Sequence, residues 1–271
     1  MGMRPVESTI DRLYHKRVAT NRKGGYVMSG GSPFLTEDRI QSEASSYGPS
    51  MSVQGTINRA GLLMCITVAT AGYTWTQYGN GNDGALALAG ISGLVGFFIA
   101  LLTAFNPSWS PFTSIPYAVL EGMFLGTVSG LIQAQVEQPI VVPAITLTFG
   151  ILVATLILYS MGIGHFSSRV QQIIITATAG VALVYLVSFG ASMFGYQVPM
   201  IHDTGLFGIG FSVFVVILAT LNLFLDFDMI EHGGNVGAPK YMEWYCALSL
   251  LITIVWLYLE VLRLLSKLNR R

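Results

Sequence analysis

Glu121, Asp226, Asp228, Glu231, Glu243, Glu260 and Arg263 stand inside long stretches that are otherwise apolar. A charged side chain at the centre of a membrane helix costs about 2.5–3.5 kcal/mol on insertion scales, so such residues face a cavity or a partner instead of lipid. Carboxylates gathered in a dry cavity repel one another, and at least one is expected to hold a proton that an isolated carboxylate would release. Their oxygens also suit a hard cation such as Ca²⁺, which takes about six to eight of them and would borrow water or backbone carbonyls for the rest. A cation path gated by protons is the chemistry these residues could support.

Other constellations carry less. The segment GISG at 90–93 has the GxSG form of an intramembrane serine nucleophile, but such a serine needs a histidine base and none lies within an apolar run. His15 is in the amino-terminal segment, and His165, His202 and His232 fall in connections. Cys65 and Cys246 lie in apolar stretches and read as packing residues, not as a disulfide or a zinc site. No lysine lies between Lys240 and Lys267, the ends of the last apolar run, which disfavours a retinal-type Schiff base. Gly122, Gly126 and Gly130 form a stripe of small residues that reads as close helix packing. No catalytic set emerges, no cofactor is expected, and the chain reads as a non-enzyme.

The elements that must position these acids are membrane helices. The 271 residues are 52% hydrophobic and 10% charged, where a soluble domain carries about 25% charged residues. Thirteen of the 28 charged side chains lie in the first 59 residues. Residues 1–55 therefore read as a disordered polar cytosolic tail, too poor in aliphatics to offset ordering entropy, and residues 56–271 as the membrane domain. Nucleic acid is excluded as a partner, because no basic face exists outside the tail.

Seven apolar runs follow: Arg59 to Tyr78, Gly84 to Phe105, Ser114 to Gln133, Pro139 to Met161, Val170 to Phe194, Gly205 to Glu231 and Lys240 to Lys267. Each approximates the ~20 residues a helix needs to cross a bilayer. Barrel strands would alternate polar and apolar residues over about ten positions, whereas these runs are continuously apolar. The fold class is an all-α bundle of seven transmembrane helices, with lipid as its first partner. Trp109, Trp244 and Trp256, with Tyr78, Tyr117 and Tyr196, mostly sit near run ends, as an interfacial belt would.

Basic residues set the orientation. With the amino terminus in the cytosol, the tail, Arg169 and Lys240 all fall on that side, and the opposite loops hold no Lys or Arg. Lys267, Arg270 and Arg271 disagree, since an odd helix count sends them to the far side; a re-entrant last helix would remove the conflict. Glu121, Asp226 and Glu243 then fall in the cytosolic half, Asp226 roughly 10 Å from the end of its helix at Gly233. Asp226 and Asp228 are about 200° apart on a helix, so one faces inward and the other aside. Asp228 and Glu231 share a face and could pair with Arg59, Arg169 or Lys240. Glu260 sits near the opposite face, where Arg263 at i+3 makes it one half of a structural pair.

The segments LFLDFDMIEHG (223–233), ALSLLITIVWLYLEVLRLL (247–265) and PYAVLEGMFLG (116–126) resemble the Bax inhibitor-1/YccA-like family of seven-helix membrane proteins. The match is close over the last two helices and rests on hydropathy elsewhere. The resemblance implies six helices around a central seventh, a pH-sensitive calcium leak and, in animals, protection from cell death. Short connections point to the bacterial branch and an inner membrane. It also implies that the family's pore aspartate falls on Asp226, with Ile230 and Gly233 in register. The family's second aspartate, on the last helix, falls on Thr253, where this chain departs from the pattern. A titrating partner for Asp226 would then be Glu243, Glu121 or Asp228.

The expectation is a pH-sensitive leak for a cation, Ca²⁺ foremost as the transported ion, built around an acidic cluster of Asp226, Asp228, Glu121 and Glu243 with Thr253 beside it. Arg59 or Arg169 would serve as a latch. The alternative is a non-conducting regulator that binds membrane proteases or other integral membrane proteins. An intramembrane hydrolase, the third reading, would need a bound metal.

Overall fold

A computed structural model describes residues 49–82, 84–193, 195 and 205–270. The expected disorder of residues 1–48 lies outside the described residues. Among those described there are seven α-helices: α1 Val53–Gly79, α2 Gly84–Phe105, α3 Ser110–Gln133, α4 Val141–Ser160, α5 Ser168–Met193, α6 Leu206–Val236 and α7 Met242–Asn269. Helices are the natural outcome for continuous apolar runs, because in hydrocarbon each backbone N–H and C=O must be satisfied within its own segment.

Six of the seven, α2 to α7, are long and apolar enough to cross a membrane. The exception is α1, which has 27 residues but carries Thr, Gly and Arg59 among its aliphatics. Its composition follows from its partner. α1 runs alongside α3, and the stripe Gly122, Gly126 and Gly130 receives it: a Cβ at Gly122 would strike Thr67 and Thr70, one at Gly126 would strike Ala71 and Thr74, and one at Gly130 would strike the Tyr78 ring. The Thr67 hydroxyl donates to the Ala118 carbonyl at 3.1 Å across this contact. Thr67, Thr70 and Thr74 of α1 are thus seam residues, and the polarity they add is turned inward.

α7 is the central element, packed against α1, α3, α4 and α6. Its Leu251, Leu257 and Leu262 are among the largest fully buried side chains. It is an unbroken helix of 28 residues, roughly 42 Å long. α5 packs on α6. There the Asn222 amide donates to the Thr178 hydroxyl at 2.8 Å.

Two boundaries differ from the sequence expectation. α6 does not stop at Glu231 but continues through His232, Gly233 and Gly234 to Val236. Glycine costs a helix about 1 kcal/mol relative to alanine, yet Gly234 lies close against Val53 of α1, where a side chain would crowd. The helix closes at Gly237, φ 70°, with Ala238 N–H donating back to the Gly233 carbonyl at 3.0 Å. Asp226 is therefore ten residues from its helix end, roughly 15 Å, deeper than a stop near Gly233 implies.

The second difference is at the start of α1. Residues 49–55 are not a free tail: Met51 is buried, its N–H donates to the Ala238 carbonyl at 2.7 Å, and Ser50 bridges Pro239. Ser52 caps the helix, its hydroxyl accepting from Gly55 N–H at 3.0 Å.

Candidate functional site: buried acids on three levels

Asp226 is fully buried and faces α7. Every residue of α6 from 222 to 230 is buried. Ser249 donates to Asp226 Oδ1 at 3.2 Å. Thr253, one turn further along α7, also faces the carboxyl and donates to the Ser249 carbonyl at 3.2 Å. Cys246 completes the same face of α7. The second carboxylate oxygen, Oδ2, is buried without a hydrogen-bond partner, and no basic side chain pairs with Asp226 among the described residues. A buried carboxylate in that state is costly unless it is neutralised by a proton or a cation. A cavity of about 10 Å³, the space of a single water, lies between α2 and α7 and is lined by Thr103, Tyr245 and Ser249.

The other acids are elsewhere, each with its own partners. Glu243, in the first turn of α7, is fully buried. Its Oε1 accepts from Ser52 N–H at 2.8 Å, Ser52 Oγ at 3.0 Å and Lys240 Nζ at 2.7 Å. Its Oε2 meets the Arg59 guanidinium, which also lies 5.1 Å from the centroid of the Trp244 ring. Gly55 leaves room for the carboxylate, because a Cβ there would overlap it. Arg59 ties the start of α1 to the start of α7 and does not reach Asp226.

Asp228 points away from Asp226, toward α5 and the connection before it. His165 Nδ1 is 3.0 Å from its Oδ1, and Gln171 Nε2 donates to Oδ2 at 3.2 Å. Tyr159 donates to Glu231 at 2.5 Å, and its ring lies 4.8 Å from that of His165. The partners foreseen for Asp228 and Glu231, Arg59, Arg169 and Lys240, are not the ones used. Arg169 is exposed and makes no ion pair among the described residues, so it latches nothing there. Glu121 turns toward α2, against Gly96, and lies near the Tyr117 side chain one turn earlier on α3.

At the far end of α7, Arg263 donates to Glu260 at 2.7 Å and to Tyr185 Oη at 2.7 Å, while Tyr185 donates to Glu260 at 2.9 Å. Among the described residues no three carboxylate, imidazole or thiol groups come together to hold a metal. The expected gathering of Asp226, Asp228, Glu121 and Glu243 is corrected accordingly. The reason is rotational: Asp226 and Asp228 face opposite ways on one helix, and Glu121 and Glu243 find partners on α3 and α1.

A family model described as Bax inhibitor 1 like matches residues 22–270. The chain belongs to the Bax inhibitor 1 like family. No curated protein and no solved structure matches it. Within this Bax inhibitor 1 like chain, Thr253 stands where the resemblance puts a second acid, and it does face Asp226 across the α6–α7 contact. Sequence reasoning overlooked Ser249, although it lies one helical turn before Thr253 and shares its face. It also passed over His165 and Gln171 because both sit near a connection, and nothing in their spacing marks them as partners of Asp228.

Proposed function

We propose that this Bax inhibitor 1 like protein is a pH-sensitive leak for cations, with Ca²⁺ as the foremost cargo, and that it is not an enzyme. The observation that carries the reading is Asp226: a carboxyl in the middle of a membrane bundle, one oxygen unpartnered, facing only hydroxyls and a thiol of α7. A protein with only structural needs gains nothing from such a group, since an apolar residue of the same volume there is neutral or stabilising. Residues in this position mark ion or proton pathways. The ionised carboxylate attracts a cation and the protonated one does not, so flux is expected to fall as pH falls. Ser249 and Thr253 supply neutral oxygens that a partly dehydrated cation can borrow. Conduction on this reading needs helix movement, since the cavity beside Ser249 has room for about one water and for no hydrated ion. A bacterial inner membrane with the amino terminus in the cytosol is the setting that the basic residues and the short connections favour.

The test is purified protein in liposomes loaded with a Ca²⁺ dye. Flux is expected, and Asp226→Asn is expected to lower it at least about tenfold and to abolish its pH dependence, because asparagine mimics the protonated form. Absence of flux from correctly folded wild-type protein would instead support the non-conducting regulator, which needs only the helix faces and not Asp226.

A further inference from the structure

The end of the bundle opposite Arg59 holds a second set of charges that Asp226 does not touch. Lys267, in the last turns of α7, is only 5% exposed. Its ammonium donates to the Gly208 carbonyl at 2.8 Å and to Ser212 Oγ at 2.9 Å, both on α6. A lysine near a membrane surface ordinarily extends its stem until the ammonium reaches water; this one turns into the protein. On the same stretch of α7, Glu260 is held by Arg263 and by Tyr185 of α5, and its other oxygen is buried without a hydrogen-bond partner. Three helices, α5, α6 and α7, thus meet at one charged knot. Ser212 is fourteen residues along α6 from Asp226, roughly 21 Å. Val215, Ala219 and Leu223 lie between the two, and none is exposed.

We propose that Lys267 is a tethered cation that closes the far end of the path, its ammonium seated in the oxygens of Gly208 and Ser212 and pinning the start of α6 to the end of α7. What it closes rests on the conduction reading above; the closure itself does not. A carbonyl and a hydroxyl are donors a travelling cation would use, and a fixed ammonium on them both occupies the place and repels a second positive ion. Water or an ion reaches the apolar stretch around Val215 only when Lys267 leaves its seat. Hydrogen bonds to a charged group are among the stronger ones, so the closed arrangement is favoured by at least a factor of ten in population.

The experiment has two arms. In nanodiscs, Val215→Cys in a background of Cys65→Ser and Cys246→Ala is labelled with a water-soluble maleimide, with and without Lys267→Met. Labelling is expected to speed up about tenfold or more when Lys267 is removed. Ser212→Ala, which keeps the lysine but removes one acceptor, is a second variant and is expected to move the rate in the same direction by less. In the second arm, with the native cysteines, Lys267→Met is expected to raise liposome cation flux. Unchanged labelling in both variants overturns the closure, and if the wild type conducts, the conduction reading survives that result. Faster labelling without flux from any form upholds the closure and removes the conduction reading. Faster labelling in a conducting protein whose flux is unchanged overturns Lys267 as the closing group.

Discussion

Each buried charge in this protein is explained by what lies within a few ångströms of it. Glu243 is surrounded by donors: the Ser52 amide and hydroxyl, Lys240 and Arg59. It also sits in the first turn of α7, where the positive end of the helix dipole favours an anion. Asp226 has one hydroxyl on one oxygen and nothing on the other. The two residues are both acids in the same half of the chain fold, yet one is a structural knot and the other is buried with an oxygen that no hydrogen bond satisfies. Glu243→Gln keeps the shape and the acceptor for Ser52 but removes the charge that Arg59 and Lys240 share. It is expected to cost about 2–4 kcal/mol, read as a lower thermal midpoint in detergent, and to leave the Asp226 side chain in place. An unchanged midpoint would mean that the knot contributes nothing to holding α1 against α7.

The helices explain why residues that look similar in the sequence part company. α6 carries Asp226 and Asp228 on faces that point to different neighbours, α7 for the first and the α4–α5 connection for the second. α3 presents a face of glycines to α1, and the fit is by backbone: the carbonyls of Thr67 and Ala71 occupy the space that side chains at Gly122 and Gly126 would need. Gly126→Leu is therefore expected to drive α1 from α3 and to abolish the monodisperse folded peak in size-exclusion chromatography, whereas Gly150→Leu on α4, where no atom stands within reach of a Cβ, is expected to leave it. At Gly164 the constraint is doubled, because φ is 112° and a Cβ would strike Phe224. That glycine lets the connection before α5 lie close to α6 and so brings His165 to Asp228.

At the scale of the molecule, the question is how many times the chain crosses. Six helices qualify by composition alone, and the seventh, α1, carries Thr67, Thr70 and Thr74 in its seam with α3 besides other polar residues. Its 27 residues are roughly 40 Å long, enough to span alongside its partner. Seven crossings put the two ends of the bundle on opposite sides of the membrane, and reporter enzymes fused at each terminus are expected to be active on opposite sides. Both reporters on one side would mean that α1 or α7 does not cross. Of the basic residues near the end of the chain, Lys267 is folded back into the bundle onto α6.

The family resemblance placed the last helix against Asp226, whereas hydropathy alone determined that this is a helical membrane protein and where most of the runs begin to within a few residues. These follow from local composition, since a backbone in lipid has one economical way to satisfy its hydrogen bonds. The segments around Asp226 and along α7 were enough to mark the family. Tertiary structure alone decided which acids meet which partners. Four carboxylates at a similar depth suggested a cluster, but depth fixes only one coordinate, and the rotation of each helix fixes the rest. Hence Glu243 turned to Arg59, Asp228 to His165 and Gln171, Glu121 to Tyr117, and Asp226 was left facing Ser249 and Thr253 with one oxygen unpartnered. A sequence records the period of a helix but not the angle at which it is set against its neighbours, and the pairing of buried charges depends on that angle.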